Sequence, residues 1–298
     1  LLALSVLWGT SFAINEVALQ SFSPSMLVAG RIFISAFVLY LFMRASGVRL
    51  PRTVQGWKPM LVMAVFGNLL PYQLVAWAQQ HLDSSVAGVL MAVTPLFVLT
   101  LAHFFLPYAH LTPFRIAGFL LGFVGVVFVI GPASFSALDG NMVLWGALAV
   151  LAAAFSYSVN SVYARRLGAT DPVQVSAGML LMTSLLCLPQ AVIGMPSLSM
   201  PTMSAVAALL ALGLLSTGFA TIIYFRVVQG PGPTFLSLVS YLVPACAVIV
   251  GALFLDESLA ASAYFGLALI LGGIALSELG PRLRLPQSLA FTGAKTLT

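Results

Sequence analysis

Polar and aromatic side chains interrupt the apolar stretch NLLPYQLVAW, residues 68–77. Asn68 and Tyr72 recur at helical spacing, and Gln73 and Trp77 form a second stripe beside them. Residues three or four positions apart share one face of a helix. Amides are costly against hydrocarbon, so such a face is expected to point towards other protein groups or a polar solute. The chemistry that these residue types offer is hydrogen bonding and ring stacking.

Other apolar stretches carry the same types of side chain at the same spacing. We expect them to line one cavity, although packing between helices is the alternative for each Ser and Thr, and Trp77 could either contact a solute or pack beside it. Three prolines are predicted to kink or hinge their helices, because proline removes a backbone donor; they are Pro71, Pro95 and Pro244. The predicted cavity residues are Trp8, Ser11, Phe12, Asn15, Asn68, Tyr72, Gln73, Trp77, Thr94, Tyr157, Asn160, Thr221, Tyr224 and Tyr241.

Two charged residues lie inside predicted helices at similar depth. Glu16 is near the end of the first helix, and Arg31 is about two turns into the second. One hypothesis is an ion pair that closes a helical hairpin. The other is that Arg31 binds a solute carboxylate and that Glu16 gates it.

The composition identifies the solvent of these helices as lipid. Of 298 residues, 61% are hydrophobic and 6% are charged, whereas soluble domains contain about 25% charged residues. Cys187 and Cys246 both lie in apolar runs and suggest neither a disulfide framework nor a metal site. The chain also lacks the sequence motifs of metalloproteases, nucleophile elbows and phosphate-binding loops. We therefore expect no enzyme, no cofactor, no metal and no nucleic-acid partner.

The apolar stretches predict an all-α integral membrane protein of ten transmembrane helices. A spanning helix needs roughly 20 apolar residues, and lipid cannot satisfy exposed backbone groups, which excludes loops and open sheets. The first stretch is longer than the apolar core of a signal peptide and is predicted to span the membrane. The predicted spans are 1–20, 25–43, 59–80, 84–106, 113–131, 142–164, 172–194, 203–228, 234–255 and 259–278.

The basic residues orient these spans. With the N-terminus in the cytoplasm, 11 of the 12 Lys and Arg residues fall on the cytoplasmic side, and Arg31 is the one inside a span. The opposite connections carry Asp83, Asp139, Asp256 and Glu257 and no basic residue. This positive-inside pattern predicts a multi-pass protein with both termini in the cytoplasm.

The two halves of the chain resemble each other. The stretch SPSMLVAGR (23–31) matches DPVQVSAGM (171–179), and Pro95 matches Pro244, at offsets of 148 or 149 residues. Because five is an odd number of spans, the second half would enter the membrane from the opposite side. Such inverted repeats are typical of transporters that alternate access around a central cavity. The predicted units are repeats at 1–131 and 142–278 and a polar tail at 279–298.

The stretches LWGTSFAI and SSVAGVLMAVTPLFVLTLAHFFL resemble the drug/metabolite transporter superfamily, in its EamA-type branch. The stretch SLVSYLVPACAVIVGALFLDESLAASAYFGLALILGGIAL resembles the same module again, so the resemblance covers about residues 1–278. One position departs from the pattern: the second half has Glu257, whereas the first half has Ala109 at the equivalent place. We therefore expect that end of the first repeat to lack a local cap or ion pair.

The resemblance implies a ten-helix transporter with a central cavity, and within the branch the chain looks most like bacterial exporters of aromatic and other amino acids. No carboxylate or histidine stands at the middle of a span, which favours alternating access without proton coupling. The alternative is a carrier of drugs, nucleosides or other metabolites, with or without protons. We expect a monomer in the lipid bilayer; the spacing of Gly118 and Gly122 leaves a dimer as the alternative.

Overall fold

The computed structural model describes residues 2–106, 112–131, 141–167, 171–194, 200–229 and 239–283. Every regular element within these ranges is helical. The first half contains α1 (Leu2–Leu19), α2 (Pro24–Ala45), α3 (Val54–Ala78), α4 (Ser84–Phe105) and α5 (Pro113–Ile130). The second half contains α6 (Met142–Leu167), α7 (Pro172–Gly194), α8 (Met203–Ala211, Leu212–Phe219 and Ala220–Gln229, without interruption), α9 (Val239–Phe254) and α10 (Ala261–Leu283).

The lengths and compositions of these helices fit a membrane protein. Within the described ranges, α1 to α8 each contain a segment long and apolar enough to cross a bilayer, and α9 and α10 contain shorter apolar segments, Leu242–Phe254 and Ala261–Ser277. The predicted all-helical membrane fold is therefore confirmed. The count of ten spans stays a prediction, since the apolar segments described in α9 and α10 are shorter than those of the other helices.

Several helices begin at sites that the sequence specifies locally. Ser23, Thr112 and Asp171 each precede a proline. The side-chain oxygen of Ser23 accepts from the Met26 amide, and that of Thr112 accepts from the Arg115 amide. Proline suits the first helical turn, where its missing N–H costs nothing, and the polar residue before it satisfies a free donor.

Two helices contain π-helical turns that the sequence did not predict. They are Val65–Leu69 in α3 and Leu212–Phe219 in α8. A π-helical turn holds an additional residue, and such turns frequently occur at functional sites. In α3 the turn ends just before Pro71, so the irregularity lies one turn before the predicted kink. Asn68 and Thr217 both lie in these turns.

The helix α4 is broken where Pro95 stands. It consists of Ser84–Met91 and Thr94–Phe105. Pro95 has no N–H to donate to the Met91 carbonyl, which instead accepts a hydrogen bond of 2.6 Å from the Thr94 hydroxyl. Pro244, in contrast, lies inside the continuous helix α9.

Many of the extensive contacts between helices have a counterpart five helices further along the chain. α2 packs on α7, α4 packs on α9, and α5 packs on α10. The contacts of α1 with α8 and α9 correspond to those of α6 with α3 and α4. Likewise, the contact of α2 with α8 corresponds to that of α7 with α3.

The closest of these contacts joins α5 and α10 through glycines. A Cβ added to Gly118 would lie 2.3 Å from the Gly273 carbonyl oxygen, and one added to Gly125 would lie 2.6 Å from that of Gly266. Backbones that approach this closely leave no space for a side chain. The glycine surface of α5 is thus covered by α10 of the same chain, whereas the large side chains of Phe104, Leu253 and other residues are exposed, as a lipid-facing surface requires.

Candidate functional site

A buried arginine lies where four helices meet. Arg31 of α2 is 7% exposed, and its Nε donates to the Thr217 hydroxyl of α8 at 2.7 Å. Its guanidinium carbon lies 4.3 Å from the centre of the Tyr72 ring of α3, a cation–π contact. The ring of Tyr157 of α6 packs edge-on against Tyr72, with 6.4 Å between centroids. We call these four residues the Arg31 cluster.

The ion pair between Glu16 and Arg31, one of the two hypotheses for these residues, is not among the contacts that the structure describes for them. Arg31 donates to the Thr217 hydroxyl, whereas a Glu16 carboxylate oxygen accepts from the Ser84 amide at 3.2 Å. Glu16 lies three residues before the end of α1 and Arg31 lies seven residues after the start of α2, and their side chains extend to different neighbours. Helical spacing gives the depth of a residue and not the partner that its side chain reaches.

Amide side chains link α3 to two neighbouring helices. Asn15 of α1 donates to the Gln79 side chain at 2.8 Å, and Gln79 donates to the Phe12 carbonyl at 2.8 Å. Earlier in α3, the Asn68 amide donates to the Thr183 hydroxyl of α7 at 3.2 Å. The Gln73 amide likewise donates to the side-chain carbonyl of Gln190 of α7. The sequence analysis omitted Thr183 and Gln190, although both are polar residues within an apolar helix, which was the available signal.

The π-helical turn of α3 is contacted by α6. The Ser156 hydroxyl donates to the Phe66 carbonyl at 2.8 Å. The Asn160 side chain lies so close to Gly67 that a Cβ there would be 2.7 Å from its nitrogen. The side-chain carbonyl oxygens of Asn160 and Asn15 are buried and accept no hydrogen bond in the part of the chain that the structure describes. Since buried polar atoms are normally paired, these two oxygens are candidate acceptors for a solute.

Three of the predicted cavity hydroxyls bond within their own helices. Ser11 donates to the Trp8 carbonyl at 2.6 Å, Thr221 donates to the Thr217 carbonyl at 2.6 Å, and Thr94 donates to Met91 as described above. A hydroxyl that is satisfied in this way is suited to packing in an apolar environment. These contacts favour the packing alternative for Ser11, Thr94 and Thr221.

The predicted aromatic residues separate into three places. Tyr72 and Tyr157 belong to the Arg31 cluster, and Trp8 lies beside Tyr224 with 6.1 Å between ring centroids. Phe12 and Trp77 pack against the apolar core of α3–α6 and α10, where the Trp77 ring also meets His81 edge-on. The packing alternative for Trp77 is thereby favoured. The side chain of Tyr241, and Ala109, lie outside the described residues.

Acidic residues meet at the start of α4. The carboxylate of Glu257, from the α9–α10 connection, accepts from the Ser84 amide at 2.8 Å, from the Ser85 amide at 2.9 Å and from the Ser85 hydroxyl. We call this arrangement, together with Glu16, the acid cap. Gly251 makes it possible, because a Cβ there would collide with the Ser85 hydroxyl and the Glu257 carboxylate. Glu257 thus caps a helix of the other half, a role that its local sequence did not reveal.

The contacts at the acid cap shift the pKa values of two carboxyl groups that lie outside the helices, Glu257 and Asp83. Burial raises the pKa of Glu257, but the hydrogen bonds that its carboxylate accepts from Ser85 and Ser84 outweigh burial and hold the pKa below its ordinary value. Burial and the neighbouring charge of Glu257 raise the pKa of Asp83. Glu257 is therefore bound as an anion.

A shallow crevice lies near the same end of the bundle. Its lining residues are His81, Leu82, Asp83, Val86, Val129, Ile130, Val143 and Ala147. None of the predicted cavity residues contributes to it. Across the described ranges, no group of three or more His, Cys, Asp or Glu residues could hold a metal ion.

The fold and the buried polar contacts define a multi-pass helical membrane protein. Comparison with known families identifies it further: the EamA-like transporter family matches residues 1–131 and 144–279, so the chain belongs to this family. It is accordingly a transporter and not an enzyme, and it is a multi-pass protein of the bacterial inner membrane.

Relatives cover the chain almost completely. The "Uncharacterized transporter YoaV" of Bacillus subtilis (strain 168) is 27% identical and the match covers 92% of this chain and 94% of the relative. The "Uncharacterized inner membrane transporter YedA" of Escherichia coli (strain K12) is 27% identical over 94% of this chain and 90% of the relative. The "Probable terminal-alkyne amino-acid exporter" of Streptantibioticus cattleyicolor is 25% identical over 91% of this chain and 89% of the relative.

A solved structure has a similar fold. It is described as a crystal structure of a protein, shares 26% sequence identity, and superimposes with a TM-score of 0.69 over 94% of this chain and 96% of its own.

Proposed function

We propose that this transporter exports amino acids with apolar or aromatic side chains. The observation that carries the proposal is the meeting of polar and aromatic side chains from α2, α3, α6 and α8 inside a bundle whose outer surface is apolar. Amides and hydroxyls in such a place can replace the hydration of an ammonium and a carboxylate group, and the tyrosine rings can stack on an apolar side chain.

The mechanism that we propose is alternating access of two inverted five-helix repeats around this central region. The helix contacts support it, because those of α1 with α8 and α9 and of α2 with α8 have counterparts after exchange of the two halves. Gly118 and Gly125 correspond to Gly266 and Gly273 in the repeat, and each glycine touches the non-equivalent one, as a two-fold axis between α5 and α10 requires. The positive-inside distribution of Lys and Arg supports cytoplasmic termini.

The buried acceptors support a zwitterionic or neutral solute. Asn15 and Asn160 stand at equivalent positions of the two repeats, and each offers a buried oxygen suited to an ammonium group. The relative named as an amino-acid exporter is in agreement with this substrate class. The covered glycine surface of α5 supports a monomer, since no space for a second copy is left there.

We also propose that transport does not require protons. Glu16 is the one acidic residue in α1–α9, and it lies near a helix end and binds the Ser84 amide. Proton-coupled carriers usually place a carboxylate or histidine in the membrane core.

Flux into proteoliposomes tests the proposal. The purified protein would be reconstituted and supplied with radiolabelled phenylalanine, leucine, a nucleoside or a cationic dye, each with and without a pH gradient. We expect phenylalanine and leucine flux that the gradient does not change. Absence of flux for any amino acid would exclude the substrate class, and acceleration by the gradient would exclude the uncoupled mechanism.

A second candidate function is transport of drugs or nucleosides. The observation in its favour is the aromatic character of the region, in which Trp8, Tyr72, Tyr157 and Tyr224 form two ring pairs. Flux of the nucleoside or dye without amino-acid flux in the same experiment would support it.

A further inference from the structure

Arg31 carries a permanent charge in an apolar environment. The guanidinium group does not lose its proton in proteins, and its planar fork presents five N–H donors. Arg31 is 7% exposed and lies about 10 Å along α2 from its start. A buried charge is costly unless a counter-charge accompanies it.

The described part of the chain supplies no counter-charge to Arg31. Its contacts are the Thr217 hydroxyl on Nε and the face of the Tyr72 ring. The carboxylate groups of Glu16 and Glu257 are engaged at the start of α4. Asp83, Asp171 and Asp256 stand outside the helices.

Within the described ranges, two contacts hold the guanidinium group of Arg31 and leave most of its N–H donors without an acceptor. Thr217 takes the N–H of Nε, and Tyr72 covers one face. The terminal nitrogens carry the remaining four N–H groups, whose fork geometry matches the two oxygens of a carboxylate. Tyr157, packed against Tyr72, adds aromatic surface beside this fork.

We propose that Arg31 binds the carboxylate group of the transported solute, an inference that rests on the proposed function. Thr217 is a positioning residue, because it fixes the guanidinium plane through Nε without meeting the solute. The site takes a monocarboxylate whose apolar or aromatic body lies against Tyr72 and Tyr157. It discriminates against amines and amides of the same shape, since these would leave the buried charge of Arg31 unpaired.

Binding and counterflow of four related compounds test this inference. They are phenylalanine, its amide, phenethylamine and phenyllactate, which share one aromatic body and differ in carboxylate and amine. Ligand-induced thermal stabilisation would be measured on the purified wild type, R31Q, R31K and the control R226Q, whose exposed arginine lies near the end of α8. We expect the wild type to bind phenylalanine and phenyllactate at least tenfold more tightly than the two compounds that lack a carboxylate.

The Arg31 variants distinguish the effect of the positive charge from that of the planar guanidinium group. R31Q should weaken phenylalanine binding on the order of 30-fold, as expected when one member of a buried charge pair is removed, and should change binding of the amide little. R31K should fall between R31Q and the wild type because lysine retains the charge but not the fork. R226Q should match the wild type.

The outcomes distinguish the inference from the proposed function. Phenylalanine transport with equal affinity for the amide, or with R31Q unchanged, would overturn the inference and leave the function. Binding of phenyllactate through Arg31 without amino-acid flux would support the inference and overturn the function. If R31Q does not fold, the preference of the wild type for carboxylates and its reduction in R31K decide the matter.

Discussion

The Arg31 cluster and the acid cap both hold a charged side chain by a neighbouring hydroxyl, but they differ in the number of hydrogen-bond partners that they give it. Glu257 accepts from two amides and one hydroxyl, so its carboxylate is well paired. Among the described residues, the Arg31 side chain has one hydrogen bond and one aromatic face for its five donors. The comparison indicates that the acid cap connects the two halves by well-paired hydrogen bonds. The Arg31 cluster, in contrast, keeps N–H donors for the solute that we propose.

The largest expected effect on stability comes from removing the Glu257 carboxylate from the acid cap. Replacing Glu257 by Ala removes the carboxylate that accepts from the Ser85 amide and hydroxyl and leaves the Ser84 amide with Glu16 alone. This change should lower the free energy of unfolding by about 3 kcal/mol. Thermal unfolding in detergent would measure this loss. Flux per folded molecule should stay within about twofold of the wild type. A large loss of flux at unchanged stability would mean that the acid cap takes part in transport.

The next effect concerns the Arg31 cluster. Thr217→Val removes the acceptor of the Nε–H and should lower phenylalanine flux about tenfold, while the free energy of unfolding falls by only about 1 kcal/mol. Thr217→Ser retains the hydroxyl and should restore flux. The measurement that a merely structural role would not change is the affinity ratio of phenylalanine to its amide. An unchanged ratio in Thr217→Val would contradict the positioning role.

The pH dependence of stability provides a third test. A carboxyl group whose pKa is lower in the folded state stabilises the fold above its unfolded pKa, and that stability is lost as the pH falls through the folded pKa. For Glu257 the stability is fully present above its ordinary pKa of 4.5 and declines below it. Thermal unfolding from pH 7 to pH 3 should therefore show a decline that is smaller in Glu257→Gln. Parallel pH profiles for the two proteins would argue against an ionised Glu257 in the acid cap.

The smallest effect should have the opposite sign. Glu16 and Glu257 each place a carboxyl oxygen on the Ser84 amide, so an ionised Glu16 would be repelled by the Glu257 carboxylate. Replacing Glu16 by Gln keeps its shape, removes this repulsion and should raise the free energy of unfolding at pH 7 by up to about 1 kcal/mol. A loss of stability comparable to that of Glu257→Ala would show that Glu16 stabilises the acid cap as much as Glu257 does.

Much of the fold could be predicted because lipid imposes few solutions on a chain of this composition. The helical class follows from the backbone groups that lipid leaves unsatisfied, and the family follows from stretches that span almost the whole chain. Helix starts such as Ser23 before a proline are local, so short sequences specify them. The π-helical turns at Val65–Leu69 and Leu212–Phe219 were missed because no local signal distinguishes them from α-helix.

The candidate site was predicted less completely because its contacts join residues far apart in the chain. Asn68, Tyr72, Tyr157 and Asn160 were identified by type and spacing, and the structure places them in the buried contacts of α3, α6 and α7. Spacing could not predict which carboxylate Ser84 would meet, or that Trp77 would pack with the apolar core. The sequence alone determined a helical membrane protein with polar residues inside its spans, because composition and periodicity carry that information. It also determined the transporter family, because the matching stretches extend over almost the whole chain. Only the tertiary structure decided that Arg31 meets Thr217 and Tyr72 while Glu16 meets Ser84, because the packing of distant helices selects each partner.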